Sequence, residues 1–271
     1  LNAKSLADYK VLYVVGDHLP VRCVAALDKW VRDGGVVMAT AGAGRFDEYA
    51  APNPAMGKLL GLAERKTDEK VRFVRPGQEL PFLEPLGRAF LASGRPPMPV
   101  LAVRETIRLA DGAKALGTDG GGGPVVVSTK LGRGSVYYVA ALPGMAYLWA
   151  ALQPPAVPDR GPGVHRVLEG FDPAAASLLR MPIPGEVERA VTIAPGLYDT
   201  RLVESPKGCF LPIANYNREI GKPATVAVRL PGAVRKVTSA HCGELKFETK
   251  DGRVVFTIPR LGYGDIVRLD P

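Results

Sequence analysis

The sequence predicts an α/β domain built on a parallel sheet, followed by an antiparallel β-sandwich. Three observations lead there. Continuous apolar runs alternate with a helical stripe near the start of the chain, whereas beyond Val187 the texture changes to short β-rich runs between turns. In addition, 31 glycines and 25 prolines among 271 residues favour turns and strands over an all-helical bundle.

Val11–Val15 is apolar without interruption and stops at Gly16, the pattern of a strand buried on both faces. Pro20 suits a first helical turn. After it Cys23, Val24, Leu27, Trp30 and Val31 recur at helical spacing and form one stripe. Gly34-Gly35 ends that helix, and residues 36–40 read as a second buried strand closed by Ala41-Gly42-Ala43-Gly44. Strand, helix and strand at this spacing make a βαβ unit with parallel strands. Pro54–Leu62 reads as a short helix, whereas residues 64–100 carry no clear pattern. Residues 113–116, 125–129 and 135–140 read as strands, the last two forming a hairpin at a sheet edge across Gly132-Arg133-Gly134. Four glycines predict a mobile loop over 118–124.

These signals divide the chain into an α/β domain over 1–150, a proline-rich linker over 151–186 and a sandwich over 187–271. In the sandwich, strands are expected over 190–194, 200–204, 209–214, 224–230, 234–239, 244–249, 253–258 and 265–269. Asp251-Gly252 is a hairpin signal, because a two-residue turn there needs positive φ at both positions.

Composition excludes several classes. With 46% hydrophobic and 23% charged residues the chain is ordinary globular material, and no run approaches the ~20 apolar residues of a membrane-spanning helix. The net charge of +8 comes from scattered Lys and Arg, rarely more than two together, so a solvated basic surface is expected and not a nucleic-acid site. Cys23, Cys209 and Cys242 are too few for a disulfide framework or zinc site. A Cys209–Cys242 bridge stays open, which leaves the compartment unassigned. No metal-ligand spacing occurs, and no cofactor is expected. The sequence opens at Leu1 and not Met, so a processed chain or a piece of a longer one is expected.

Residues 6–62 carry a more specific texture. LADYKVLYVVGDHLP, then LDKWVRDGGVVMATAGAGRFDEY, then GKLLGL resembles the β-galactosidase trimerisation domain, a glutamine-amidotransferase-like module that follows the catalytic barrel of some glycoside hydrolases. DGAKALGTDGGGGPVVVSTKLGRGSVYYVAALPG resembles the closing strands of that module. FLPIANYN and VVFTIPRLGYGDIVRLD resemble the small sandwich that often ends glycosidase chains. The resemblance implies a flavodoxin/amidotransferase-like parallel sheet lacking its first βα units. It also implies a catalytic barrel of about 250 residues outside this sequence.

The same resemblance places Thr40 where active amidotransferases hold a nucleophilic cysteine on a strained elbow. A threonine hydroxyl without a base is a poor substitute, and none of His18, His165 and His241 has the family's Glu two positions on. His241 and Cys242 are adjacent, but strand neighbours point to opposite faces. Asp47 and Glu48 are candidates for acid/base work on a glycosidic bond. Adjacent loop carboxylates more often cap a helix or pair with a cation such as Arg45. Tyr147, Trp149 and Tyr216 are candidate sugar-stacking residues, set against ordinary roles in a core or interface. Ala41-Gly42-Ala43-Gly44 lacks the third glycine of a dinucleotide fingerprint, and 120–123 precedes a strand, so nucleotide binding is not expected.

The function expected is therefore a non-catalytic accessory and oligomerisation region of a carbohydrate-active enzyme. Its partners would be further copies of the chain or an upstream catalytic domain, with neither nucleic acid nor membrane. A carbohydrate-binding module using sandwich aromatics such as Tyr216, and a free-standing hydrolase using Asp47, are the alternatives.

Overall fold

The computed structural model describes residues 3–69, 74–91, 94, 96–154, 168–185, 187, 189–205, 208–217, 219–230 and 232–271. The chain divides into two compact units, Leu1–Pro184 and Gly185–Pro271.

In the first unit a one-turn helix α1 (Ala3–Leu6) leads to β1 (Val11–Val14), α2 (Val21–Arg32) and β2 (Val36–Thr40). All five residues of the stripe on α2 are buried. Gly34 has φ +119 just past the helix, and a Cβ on Gly35 would overlap the Trp30 indole. The pair thus ends the helix and makes room for its largest apolar side chain. Next come α3 (Pro54–Leu59), capped by the Asn53 side chain, and β3 (Leu62–Glu69). Strands β4 (Gly87–Leu91), β5 (Met98–Val100), β6 (Val103–Leu109), β7 (Lys114–Asp119), β8 (Pro124–Leu131) and β9 (Gly134–Val139) follow, then helices α4 (Pro143–Ala151) and α5 (Pro173–Arg180).

Seven strands form one sheet in the order β1-β2-β9-β8-β7-β4-β5. Only β1, β2 and β9 run parallel; β8, β7, β4 and β5 continue antiparallel. The sheet is therefore mixed, and not parallel throughout as the first two strands predicted. Two further expectations change because of position in the sheet, and a third because a helix forms in the expected linker. Strand β1 lies at the edge, and Tyr13 on it is exposed, so its apolar run is not covered on both faces. The β8–β9 hairpin lies inside the sheet, with Val126, Val127 and Tyr138 fully buried. Residues 173–180, expected within a linker, form a helix whose Ala174, Ala175 and Leu178 join the main core. The prolines at 155, 158 and 162 lie outside the described residues.

The turn between β8 and β9 explains its two glycines. Gly132 has φ +57 and faces the Arg32 carbonyl, while a Cβ on Gly134 would collide with the carbonyls of Val31 and Gly35. Backbone meets backbone there, at the carboxyl end of α2. The glycine loop after β7 is also tied down, because Asp119 Oδ1 accepts hydrogen bonds from the amides of Gly121 (2.9 Å) and Gly123 (2.8 Å). The expected mobile loop is thus pinned by a side chain at its own start. Asp119→Ala is expected to cost about 1 kcal/mol and to abolish hydrogen-exchange protection at Gly121 and Gly123. Unchanged protection would show that the turn holds without the carboxylate.

Apart from the main sheet, β3 and β6 pair as an antiparallel ribbon. The Glu105 amide of β6 donates to Ala140 O at 3.0 Å, which anchors the ribbon just beyond the end of β9.

Among the described residues the second unit holds ten strands: β10 (Val191–Ala194), β11 (Tyr198–Thr200), β12 (Val203–Ser205), β13 (Gly208–Asn215), β14 (Lys222–Val228), β15 (Lys236–Ser239), β16 (Gly243–Leu245), β17 (Phe247–Lys250), β18 (Arg253–Leu261) and β19 (Gly264–Asp270). They make two antiparallel sheets, β10-β14-β18-β17 and β11-β13-β19-β15-β16, with β12 also on β13. Alternate residues of both, including Leu211, Val226, Val237, Phe256, Ile258 and Val267, fill one core, as in a sandwich. Two expected strands each split. The 244–249 run breaks at Lys246, where the chain leaves one sheet (β16) for the other (β17). The 200–204 run splits into β11 and β12. Asp251 and Gly252 have φ of 51° and 70°, the double positive φ expected of their hairpin turn. All three cysteines are free thiols.

Candidate functional site at the ends of the parallel strands

Open α/β sheets hold ligands beyond the carboxyl ends of their parallel strands. Here the turns after β1 and β2 line a cleft of about 470 Å³, with Gly16, Asp17, Gly42 and Arg45 from those turns, Glu69 from the ribbon and Met145 from α4. Ala102, almost completely buried in the wall, has φ +61. A left-handed alanine stores strain that the surrounding packing must hold.

Arg45 is the central charge of the cleft. Its Nη2 lies 3.6 Å from Asp17 Oδ2 and 3.4 Å from Glu69 Oε2, and its guanidinium carbon sits 4.8 Å from the centre of the Phe46 ring. The hydrogen bond from His18, supported by the charge of Arg45, holds the Asp17 carboxyl below the usual carboxylate range.

Beneath the cleft lies a buried carboxylate that the sequence reading passed over. Glu105, 3% exposed, accepts from Gly42 N (3.0 Å), Thr67 Oγ1 (2.7 Å) and the Tyr138 hydroxyl. Arg65 donates to Ala43 O at 2.8 Å. Burial pulls its guanidinium pKa down, and the nearby Glu105 charge acts in the opposite sense. Ribbon and turn are thus joined through one carboxylate.

Thr40 closes β2, in register with Val139, and its buried hydroxyl has no hydrogen-bond partner among the described residues. A nucleophile elbow needs a strained backbone and free amides after the nucleophile. Thr40 has neither. It is absent from the positive-φ residues, Ala41 N donates to Ala141 O (3.2 Å), and Gly42 N is held by Glu105.

The other candidates lie elsewhere. Asp47 Oδ1 accepts from the amides of Tyr49 and Ala51, and Glu48 Oε2 accepts from Val21 N at 3.0 Å, at the start of α2. Both carboxylates hold backbone. Tyr147 stacks on Phe171 at 4.5 Å, and Trp149 packs with Leu80, Leu101 and Leu152. Tyr216, 53% exposed, belongs to the second unit. His241 and Cys242 sit in a turn between β15 and β16 and not on a strand, so the opposite-faces argument does not apply to them. Cys242 Sγ nevertheless points to Arg260 O, at 3.7 Å.

Among the described residues no cluster of His, Cys, Asp and Glu could hold a metal ion, and no helix is long and apolar enough to cross a membrane. The missed residue, Glu105, had one signal. It alternates with Ile107 on the inward face of β6, a charged residue at an apolar position.

No protein-family model and no curated protein sequence matches the chain. Solved structures do. The β-galactosidase of Bacillus circulans sp. alkalophilus superposes with a TM-score of 0.59 at 19% identity, covering 97% of this chain and 33% of that one. The β-galactosidase of Rahnella sp. R3 gives 0.57 at 19%, covering 96% and 32%. The α-L-fucosidase isoenzyme 2 of Paenibacillus thiaminolyticus gives 0.56 at 15%, covering 98% and 41%. The chain shares its fold with a part of each, and spans well under half their length.

Proposed function

We propose that the chain is a non-catalytic accessory and assembly region of a glycoside hydrolase, in which an amidotransferase-like α/β unit of the trimerisation-domain kind precedes a sandwich. The observation that carries this reading is the state of the Thr40 turn. An unstrained threonine and two engaged amides cannot activate a nucleophile or stabilise an oxyanion there. The fold shared with about a third of two β-galactosidases supports the placement within a larger glycosidase. Further copies of the chain, or an upstream catalytic domain, are the partners this reading assigns, and the α/β surface makes the contact.

Two measurements test it. Sedimentation velocity over about a hundredfold concentration range should show reversible self-association, and a monomer throughout would overturn further copies of the chain as the partner. Thr40→Cys should release no ammonia from glutamine, and the unaltered chain should not turn over nitrophenyl β-galactoside. Either activity would overturn the non-catalytic part.

A further inference from the structure

The second unit carries a groove of about 1110 Å³ at one end of the sandwich, built by turns. Its lining includes Ile220, His241, Arg260, Tyr263 and Ile266. Hydrogen bonds hold the backbone turn that carries one of its exposed side chains, Tyr263, and the ring of another, His241. Tyr263, 80% exposed, sits on the turn between β18 and β19, and Asn215 clamps that turn twice: its amide donates to Tyr263 O and its side chain to Gly262 O, both at 2.8 Å. His241, whose side chain is 71% exposed, is held through Nδ1 by Asp265 at 3.2 Å. Asp265 is itself buried and also accepts from Ser239 Oγ (2.5 Å) and Ile266 N (2.7 Å). Ser239 Oγ in turn accepts from the amides of His241 and Cys242, which fixes the turn that presents the ring.

Rigidly held, solvent-facing groups lower the ordering cost of binding. We infer that this groove binds an acidic saccharide, a hexuronate chain. Three features select that chemistry. The face of Tyr263, which lines the groove as Ile266 does, offers an apolar platform to the C–H face of a pyranose. Nδ1 of His241 is engaged by Asp265, which leaves Nε2 facing the groove to hydrogen-bond a sugar hydroxyl. Arg260 is exposed and makes no carboxylate pair among the described residues, while Asp265 is buried, so the groove presents a cation to a ligand carboxylate. An extended peptide fits less well. Main-chain pairing would favour a peptide over a sugar, whereas the groups this groove presents are side chains, an aromatic ring, an imidazole and a guanidinium. The site lies wholly in the second unit and does not depend on the function proposed above, which rests on the first.

Isothermal titration of the full chain with trigalacturonate tests it. Binding is expected, and Tyr263→Ala and Arg260→Gln should each weaken it by about tenfold. Both side chains are exposed, so an unchanged thermal transition should accompany the loss. Methyl-esterified trigalacturonate should show a similar drop, while Tyr216→Ala, outside the groove, should change affinity by less than about twofold. No binding of trigalacturonate at millimolar concentration would overturn the proposal. So would equal affinity for the esterified sugar, or a polyglutamate peptide that binds in its place.

Discussion

Glu105→Ala is expected to lower the unfolding free energy of the first unit by about 3–5 kcal/mol. The substitution leaves the Gly42 amide and the Thr67 and Tyr138 hydroxyls without their acceptor in a buried place, and removes the carboxylate from beside Arg65. Glu105→Gln keeps the shape and one acceptor oxygen, so a smaller loss of about 1–3 kcal/mol is expected. Urea unfolding followed by tryptophan fluorescence measures this cleanly. The chain has two tryptophans, Trp30 and Trp149, and both lie in the first unit. A loss below about 1 kcal/mol for alanine would show that the network is not structural. A gain in stability would mean that the carboxylate is kept for chemistry at a cost to the fold, which would revive a catalytic reading of the cleft.

The second large effect is expected at Gly134. Gly134→Ala should cost more than about 4 kcal/mol, or prevent the first unit from folding, because the new Cβ meets the backbone carbonyls of Val31 and Gly35 and neither can swing aside. Gly120→Ala serves as the contrast. Its Cβ would meet only the Phe90 ring at 3.9 Å, and its φ is unexceptional, so a change within about 0.5 kcal/mol is expected. The same fluorescence transition separates the two. Equal effects would mean that Gly134 is ordinary turn chemistry and not the contact that seats the β8–β9 hairpin on α2.

Much of the local structure was legible along the chain. The stripe on α2 could be read because helical periodicity is a property of neighbours three and four positions apart. Asp251-Gly252 could be read because turn conformation depends on two adjacent residues. The change of texture after Val187 could be read because strand length and turn frequency are local quantities. Resemblance added the glycosidase connection, and solved β-galactosidases share the fold over nearly the whole chain.

What the sequence left open were relations between distant segments. Whether the apolar run of β1 is central or marginal depends on which strands lie beside it, and among the described residues only β2 does. The β8–β9 hairpin is interior because β2 and β7 flank it, a fact no hairpin carries within itself. Residues 244–249 looked like one strand, because alternation cannot register a change of sheet at Lys246. The cleft shows the limit most plainly. Thr40, Asp47 and Glu48 stand out by type and position, yet their chemistry is set by what reaches them. Glu105 finds its partners 63, 38 and 33 positions away, at Gly42, Thr67 and Tyr138. A short-range pattern cannot encode such contacts, because hydrogen bonds and burial depend on proximity in space, and folding alone brings those atoms within 3 Å or so of one another.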